Sequence, residues 1–371
     1  MKRLRPERLP RRNDPGRLRV WPIGWALAAC FAATATGLTG LTWLALALLH
    51  HPKLPHHPTV SLHDFIGILQ LVFASVAGTG ALVALVMTYR RQRVAETTTA
   101  HDRTRVLNER FIAVAAQLGD DKAAIRLAGV HAMAGLADDW EENRQTCIDV
   151  LCAYLRMPYE PEPGDDAPAQ ERLAFRSGRE VRHTVIRVIT AHLRNNAAVS
   201  WQGLNFDFTG VVFDGGDFTG AVFSGGVVRF DDTVFSGGVV SFEDAVFSGG
   251  AVIFSDAVFS GGAVIFSDAV FSGSEVIFFS AVFSGSSVGF SDAVFSDGLV
   301  HLSQAEFRCG TVYFVGARFC GSRVQIGGEF SGGKVDLSGA ADWSHPPTFP
   351  PVDTPPVWVR LPKAAPGSEA Q

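Results

Sequence analysis

Basic residues are scarce where the chain is most regular: residues 201–340 carry five Lys or Arg against fifteen Asp or Glu. A surface of that sign repels phosphate, so direct nucleic-acid binding is disfavoured. Cysteine is scarce as well. The five cysteines, at 30, 147, 152, 309 and 320, have neither CxxC spacing nor the density of a secreted disulfide scaffold, and are expected to be reduced thiols. No phosphate-binding glycine loop, zinc-ligand spacing or Ser/His/Asp arrangement occurs. Gly285-Ser286-Ser287-Val288-Gly289 fits the nucleophile-elbow pattern by letter only, because Ser287 fills the slot that Ala251, Ala263 and Glu275 hold in neighbouring repeats. Asp232, Asp244, Asp256, Asp268 and Asp292 recur, but without the nine-residue order of calcium-binding repeats. Neither an enzyme nor a metal or cofactor is expected.

What the chain does have begins with a charge asymmetry and two apolar runs. Residues 1–20 form a basic cytoplasmic N-terminus, with eight Lys or Arg against Glu7 and Asp14. Residues 21–49 contain no charge and, at ~1.5 Å per residue, are long enough for a ~30 Å hydrocarbon core. Residues 65–89 include only Gln70 as a strongly polar member and end at Arg90, Arg91 and Arg93. The loop between them, 50–64, offers only Lys53, so the positive-inside rule predicts two transmembrane helices with both termini cytoplasmic. The expected location is the cell membrane, as a multi-pass protein in contact with the lipid bilayer.

Residues 90–200 change to helical periodicity and read as a cytoplasmic helical adaptor. Helices are predicted near 104–118 and 121–138 as an antiparallel pair, with Gly119 as the stop and Asp120 or Asp121 as the cap. A further helix carries Val181, Val185 and Val188, and the Pro- and acid-rich stretch 158–170 reads as a linker.

From 201 to 340 the sequence repeats itself. FSGGAVIFSDAV occurs twice in succession at 247–270, and phenylalanines recur at spacings of seven and five: Phe235, Phe242, Phe247, Phe254, Phe259, Phe266, Phe271, Phe278, Phe283, Phe290 and Phe295. Two residues before each Phe lies a small or branched apolar residue, and positions two apart in extended backbone share a face. Both are therefore expected to point inward, with Ser-Gly-Gly or Ser-Asp corners between short strands, as in a solenoid.

The units TGVVF, TGAVF, DDTVF, EDAVF and SDAVF resemble the pentapeptide repeat family over roughly residues 203–340. The helical segment before them is similar to that of membrane-anchored actinobacterial members. The resemblance implies a right-handed β-helix with four short faces per coil. Because every other unit here has seven residues, a coil is expected to take about 24, longer than four five-residue units would give. The fold class expected is α+β multi-domain: two transmembrane helices, the adaptor and the β-helix, with 341–371 a Pro-rich disordered tail.

The position before each Phe is expected to face outward, and it is Val in Val234, Val246, Val258, Val270, Val282 and Val294. These are the candidate interaction surface, since contiguous apolar surface marks contact sites, although β-branched residues also favour strands for their own sake. The function expected is a membrane-tethered scaffold presenting a rigid acidic rod to an unidentified cytoplasmic protein, with homo-oligomerisation as a further possibility. The alternative, which the resemblance supplies, is a DNA-mimicking topoisomerase-binding protein.

Overall fold

The computed structural model describes residues 62–349 and 357–363, together with isolated positions between Trp25 and Ala47. Most of the run 21–49 and of the loop 50–64 thus lies outside the described residues. The chain divides into two units, Met1–Thr104 and Arg105–Gln371. Helix α1 runs from Leu62 to Leu118. Among the described residues no helix is long and apolar enough to cross a membrane. The expected spans are therefore not found there.

In the second unit Gly119 ends α1, its N–H reaching Ala115 O at 3.2 Å. Asp120 stands two residues before the cap, since helix α2 spans Ala123–Asp139 and its N-cap is Lys122. Asp120 Oδ1 instead accepts the Lys122 N–H at 2.8 Å, which closes the connecting turn. Gly129 packs against Leu118, and Arg110 pairs with Asp139 at 3.0 Å, which fixes the antiparallel arrangement that the sequence predicts. Helices α3 (Arg144–Arg156) and α4 (Ala169–Leu193) follow, separated by the Pro-rich linker. Ile148, Leu151 and Leu155 of α3 and Val181, Val185 and Ile189 of α4 are fully buried and join one core with the first phenylalanines of the repeat.

The repeat forms a parallel β-solenoid of the right-handed type with about six coils. Register fixes the coil length: Val234 pairs with Val258 and Val258 with Val282, an offset of 24. Inward phenylalanines stack coil upon coil in four ladders. Phe235, Phe259 and Phe283 lie 4.7 and 4.8 Å apart with rings within 6° of parallel. Phe242, Phe266 and Phe290 repeat the pattern at 4.9 and 4.8 Å. Phe247, Phe271 and Phe295 do so at 4.9 and 4.8 Å, and Phe230, Phe254 and Phe278 at 4.7 Å. These spacings are the strand separation of a sheet, ~4.8 Å, so backbone and ring ladders share one period. Each fully buried Phe contributes roughly 1.5–3 kcal/mol of transfer free energy.

The corners explain the repeated Asp. In Phe254-Ser255-Asp256-Ala257 the Ala257 N–H returns to Phe254 O at 3.3 Å, and Asp256 takes φ +56°. Asp232, Asp244, Asp268 and Asp292 adopt the same left-handed conformation, which Gly210, Gly220 and Gly316 take in the first and last coils. Asp is among the few side chains that tolerate it. At the other corner Gly262 has φ +65°, and a Cβ there would collide with the Gly238 carbonyl one coil below.

Two features mark the ends of the rod. The first coil is two residues shorter, in keeping with the five-residue spacing of Phe208, Phe213, Phe218 and Phe223: Val212 pairs with Val234 at an offset of 22, and the shortening falls at Asp214-Gly215-Gly216. The tail is not structureless where it is described: Val359–Arg360 pairs with Val335–Asp336, and Asp342 and Thr348 bridge to Arg318 and Gln325. The exposed edge of a parallel sheet presents unpaired amides, and extended Pro-rich chain can satisfy them at positions that are not proline.

Phe259 touches ladder partners above and below, so Phe259→Asp places an unpaired carboxylate in the stack. We expect loss of at least about 3–5 kcal/mol and no cooperative thermal transition by circular dichroism. A wild-type melting curve would show that Phe259 does not face the core.

Candidate functional site

Outward side chains on one strand are aligned by register with those of the next coil. The six valines therefore fall into two ladders, not one stripe. Val234, Val258 and Val282 continue Val212 on the first face and give way to Glu306. Val246, Val270 and Val294 continue Val222 on the third face and give way to Arg318. All six are half-buried, because the outward side chains of the coils above and below shield their flanks at strand spacing. The helices do not cover these ladders as a set; they lie on the first coil, where Val222 alone is buried, at 7% exposure.

Charge is uneven along the rod. From Arg229 to Arg308 there is no Lys or Arg between, whereas ten Asp or Glu occur. The five repeated aspartates are exposed at the corners that border the valine faces. They are turn residues first, and their negative charge is what the turn leaves on the surface. Among the described residues no group of three His, Cys, Asp or Glu is placed to hold a metal ion. Ser287 lies exposed in a strand, paired in register with Ala263, without the strand-turn-helix setting of a nucleophile.

The most elaborate polar cluster lies where α4 meets the shortened corner, and the sequence did not announce it. Asp214 Oδ2 accepts from Tyr159 Oη at 2.7 Å and forms an ion pair with Arg179, whose Nε lies 2.9 Å away, and His183 Nε2 stands 2.9 Å from Oδ1. Gly215 and Gly216 have no side chain to obstruct His183 and Ile186, whose atoms would lie 3.3 Å from a Cβ at either position. Burial alone would raise the Asp214 pKa, but hydrogen bonds from His183 and Tyr159 and the charge of Arg179 outweigh it and hold the carboxyl below its ordinary value. Burial and the same carboxylate push the Tyr159 hydroxyl up. Burial lowers the Arg182 pKa, while its guanidinium lies 4.2 Å from the Tyr159 ring centroid and donates to Leu155 O and Val212 O at 2.8 and 2.9 Å.

The same helices close the open edge of the first coil. Thr190 Oγ1 donates to Asp217 O at 2.8 Å, Arg194 Nε to Thr219 O at 2.9 Å and Arg179 Nη2 to Asp214 O at 3.0 Å. Gln145 and Asn205 exchange two bonds, at 2.8 and 3.0 Å, as a neighbouring strand would. A second cluster, between α2 and α4, looks more like chemistry. His192 stacks on Trp201 at 3.9 Å, and Asp138 takes His192 Nε2 at 3.1 Å and Trp201 Nε1 at 2.9 Å. His192 Nδ1, however, lies 2.7 Å from Val188 O, so neither ring nitrogen is left for a substrate. Cys147 and Cys152 are buried in the helical core, which pushes their thiols up to about 11 and about 12, far from a reactive thiolate.

A half-buried valine with a free outer edge tolerates a longer side chain that extends to water. Val258→Lys is expected to change stability by less than about 1 kcal/mol; loss of the folded signal would place Val258 inside. Asp214 gives a pH test. Its folded pKa is depressed, so its contribution is present above the unfolded value of about 3.9 and is lost as pH falls through the folded one. Asp214→Asn should lower stability at pH 7 by about 1–3 kcal/mol and flatten the acid limb of melting temperature against pH below about pH 4. An unchanged acid limb would mean that the clamp does not form.

Residues 208–252 match the model of a family described as pentapeptide repeats (9 copies). No curated protein matches the chain. No solved structure matches it. The matched stretch covers the first coils of the solenoid, and the two findings together support a pentapeptide-repeat protein.

Proposed function

We propose that the protein is a non-enzymatic, membrane-tethered scaffold that presents a rigid acidic β-helix to a cytoplasmic protein. The observation that carries the reading is the outward face of the rod: two valine ladders along the middle coils, bordered by acidic corners and free of cationic side chains from 230 to 307. Stacked coils with a continuous buried core change shape little, which suits a surface that a partner reads by form. The tether rests on the apolar runs 21–49 and 65–89, and on the exposure of Ile66, Phe73, Leu85 and Met87 along α1. Basic residues at the outer ends of both runs favour cytoplasmic termini.

A second reading, a DNA mimic that binds a topoisomerase, is favoured by one observation, the ten acidic residues without a cation between Arg229 and Arg308. The valine ladders weigh against it, because a phosphate backbone has no apolar stripe.

Photo-crosslinking in intact membranes followed by mass spectrometry tests both, with Val258→Lys/Val282→Lys as the comparison. One protein enriched with wild type and lost with the variant is the expected outcome, and a topoisomerase in that place selects the second reading. Recovery of the same proteins from both would sink the valine surface. The chain is expected to stay with the membrane pellet after alkaline carbonate extraction; release into the supernatant would remove the tether.

A further inference from the structure

We propose that the corner of the rod carrying Phe279 docks a partner segment that is both cationic and apolar. The inference rests on the scaffold reading and names what the scaffold holds. Phe279 is 39% exposed, whereas the ladder phenylalanines are exposed by 2% or less. Its slot, the first central position of the turn between the fourth and first faces, is Asp231, Ser255 and Ser303 in neighbouring coils. An aromatic side chain thus stands where the repeat otherwise puts a polar one. The turn does not require it: Phe279 O accepts the Asp256 N–H at 2.9 Å through backbone alone, and Ser280 takes φ +56° as Asp256 does.

Register gathers more apolar surface around it. Ile253 and Ile277 are paired neighbours facing outward on the fourth face, and Val258 and Val282 are paired neighbours on the first. All four are half-buried, so Phe279 is the protruding member of a patch that wraps the corner. The rim is mainly acidic: Asp256 and Glu275 are exposed beside it, while Arg229 stands in register with Ile253 at the edge of the patch and Arg308 pairs with Glu306, which is in register with Val282.

That combination selects the occupant. Anionic lipid and nucleic acid are repelled by a rim of net negative charge, and the same corner of a second copy brings the same net charge. A segment in which Lys or Arg flanks Leu or Phe matches both the rim and the anchor, and an aromatic side chain ringed by polar groups is where interface energy concentrates.

The test uses the full-length chain and three dye-labelled synthetic peptides: alternating Leu-Lys, alternating Ser-Lys and alternating Leu-Glu. Binding is followed by fluorescence anisotropy for wild type and Phe279→Ser, a change to the residue that the Ser255 and Ser303 slots already hold, with folding checked by its melting curve. The Leu-Lys peptide is expected to bind saturably, Leu-Glu not at all, and Phe279→Ser to weaken Leu-Lys binding on the order of tenfold. Equal binding of Ser-Lys and Leu-Lys, or a Leu-Lys affinity that Phe279→Ser leaves unchanged, overturns the proposal. In the membrane crosslinking experiment, a partner that Val258→Lys/Val282→Lys releases and Phe279→Ser does not keeps the scaffold and removes this corner. Peptide binding lost in Phe279→Ser with no partner captured removes the scaffold instead.

Discussion

The structure depends on one coincidence of length: the phenylalanine of each coil must sit directly on that of the coil below at the distance that strand hydrogen bonds impose. Ring centroids 4.7–4.9 Å apart through the middle coils meet that requirement. Any coil that gains or loses a residue within a strand would turn its inward side chains outward. Length variation is therefore confined to corners, where one unit of a coil carries five residues and the next seven. Glycine and left-handed Asp at those corners follow from the same constraint, since the chain must turn within two or three residues and stay in register with a corner already in place below it.

A stack of this kind has two ends, and each is a sheet edge with unpaired backbone groups. At the start, helices α3 and α4 supply side-chain donors to the carbonyls of the first coil, and the shortened glycine corner admits α4 against Phe213 and Phe218. Asp214 then ties the helix to the corner through Arg179 and His183, and the linker through Tyr159. At the far end the tail contributes rungs at Asp342, Thr348 and Val359–Arg360. The two solutions differ because one segment has amphipathic helices to offer and the other has proline, which leaves isolated residues free to pair.

Between the ends the interior is repetitive and closed, so differences that a partner could read lie only on the outside. There the repeat drifts. Valine ladders give way to Glu306 and Arg318, cations return after Arg308, and Phe279 replaces a serine. A surface that is apolar, mainly acidic and locally interrupted is more specific than the repeat that generates it, which is how a monotonous core can carry a defined contact.

Much of the fold was legible in local pattern. The period of about 24, the inward Phe and small residues, the glycine corners and the antiparallel adaptor helices all follow from strand alternation and turn preference, which act over a few residues. The role of the recurrent Asp was legible only in part: its spacing was evident, but its left-handed backbone was not. Tertiary structure alone decided the rest. The valines divide between two faces because register pairs residues 24 apart while the valines recur every twelve. Their half-burial comes from neighbours one coil away, and the Asp214 cluster joins Tyr159, Arg179 and His183 only once α4 has docked. A periodic sequence determines what each side chain faces; which side chains meet depends on how the coils and the helices that cap them are set against one another.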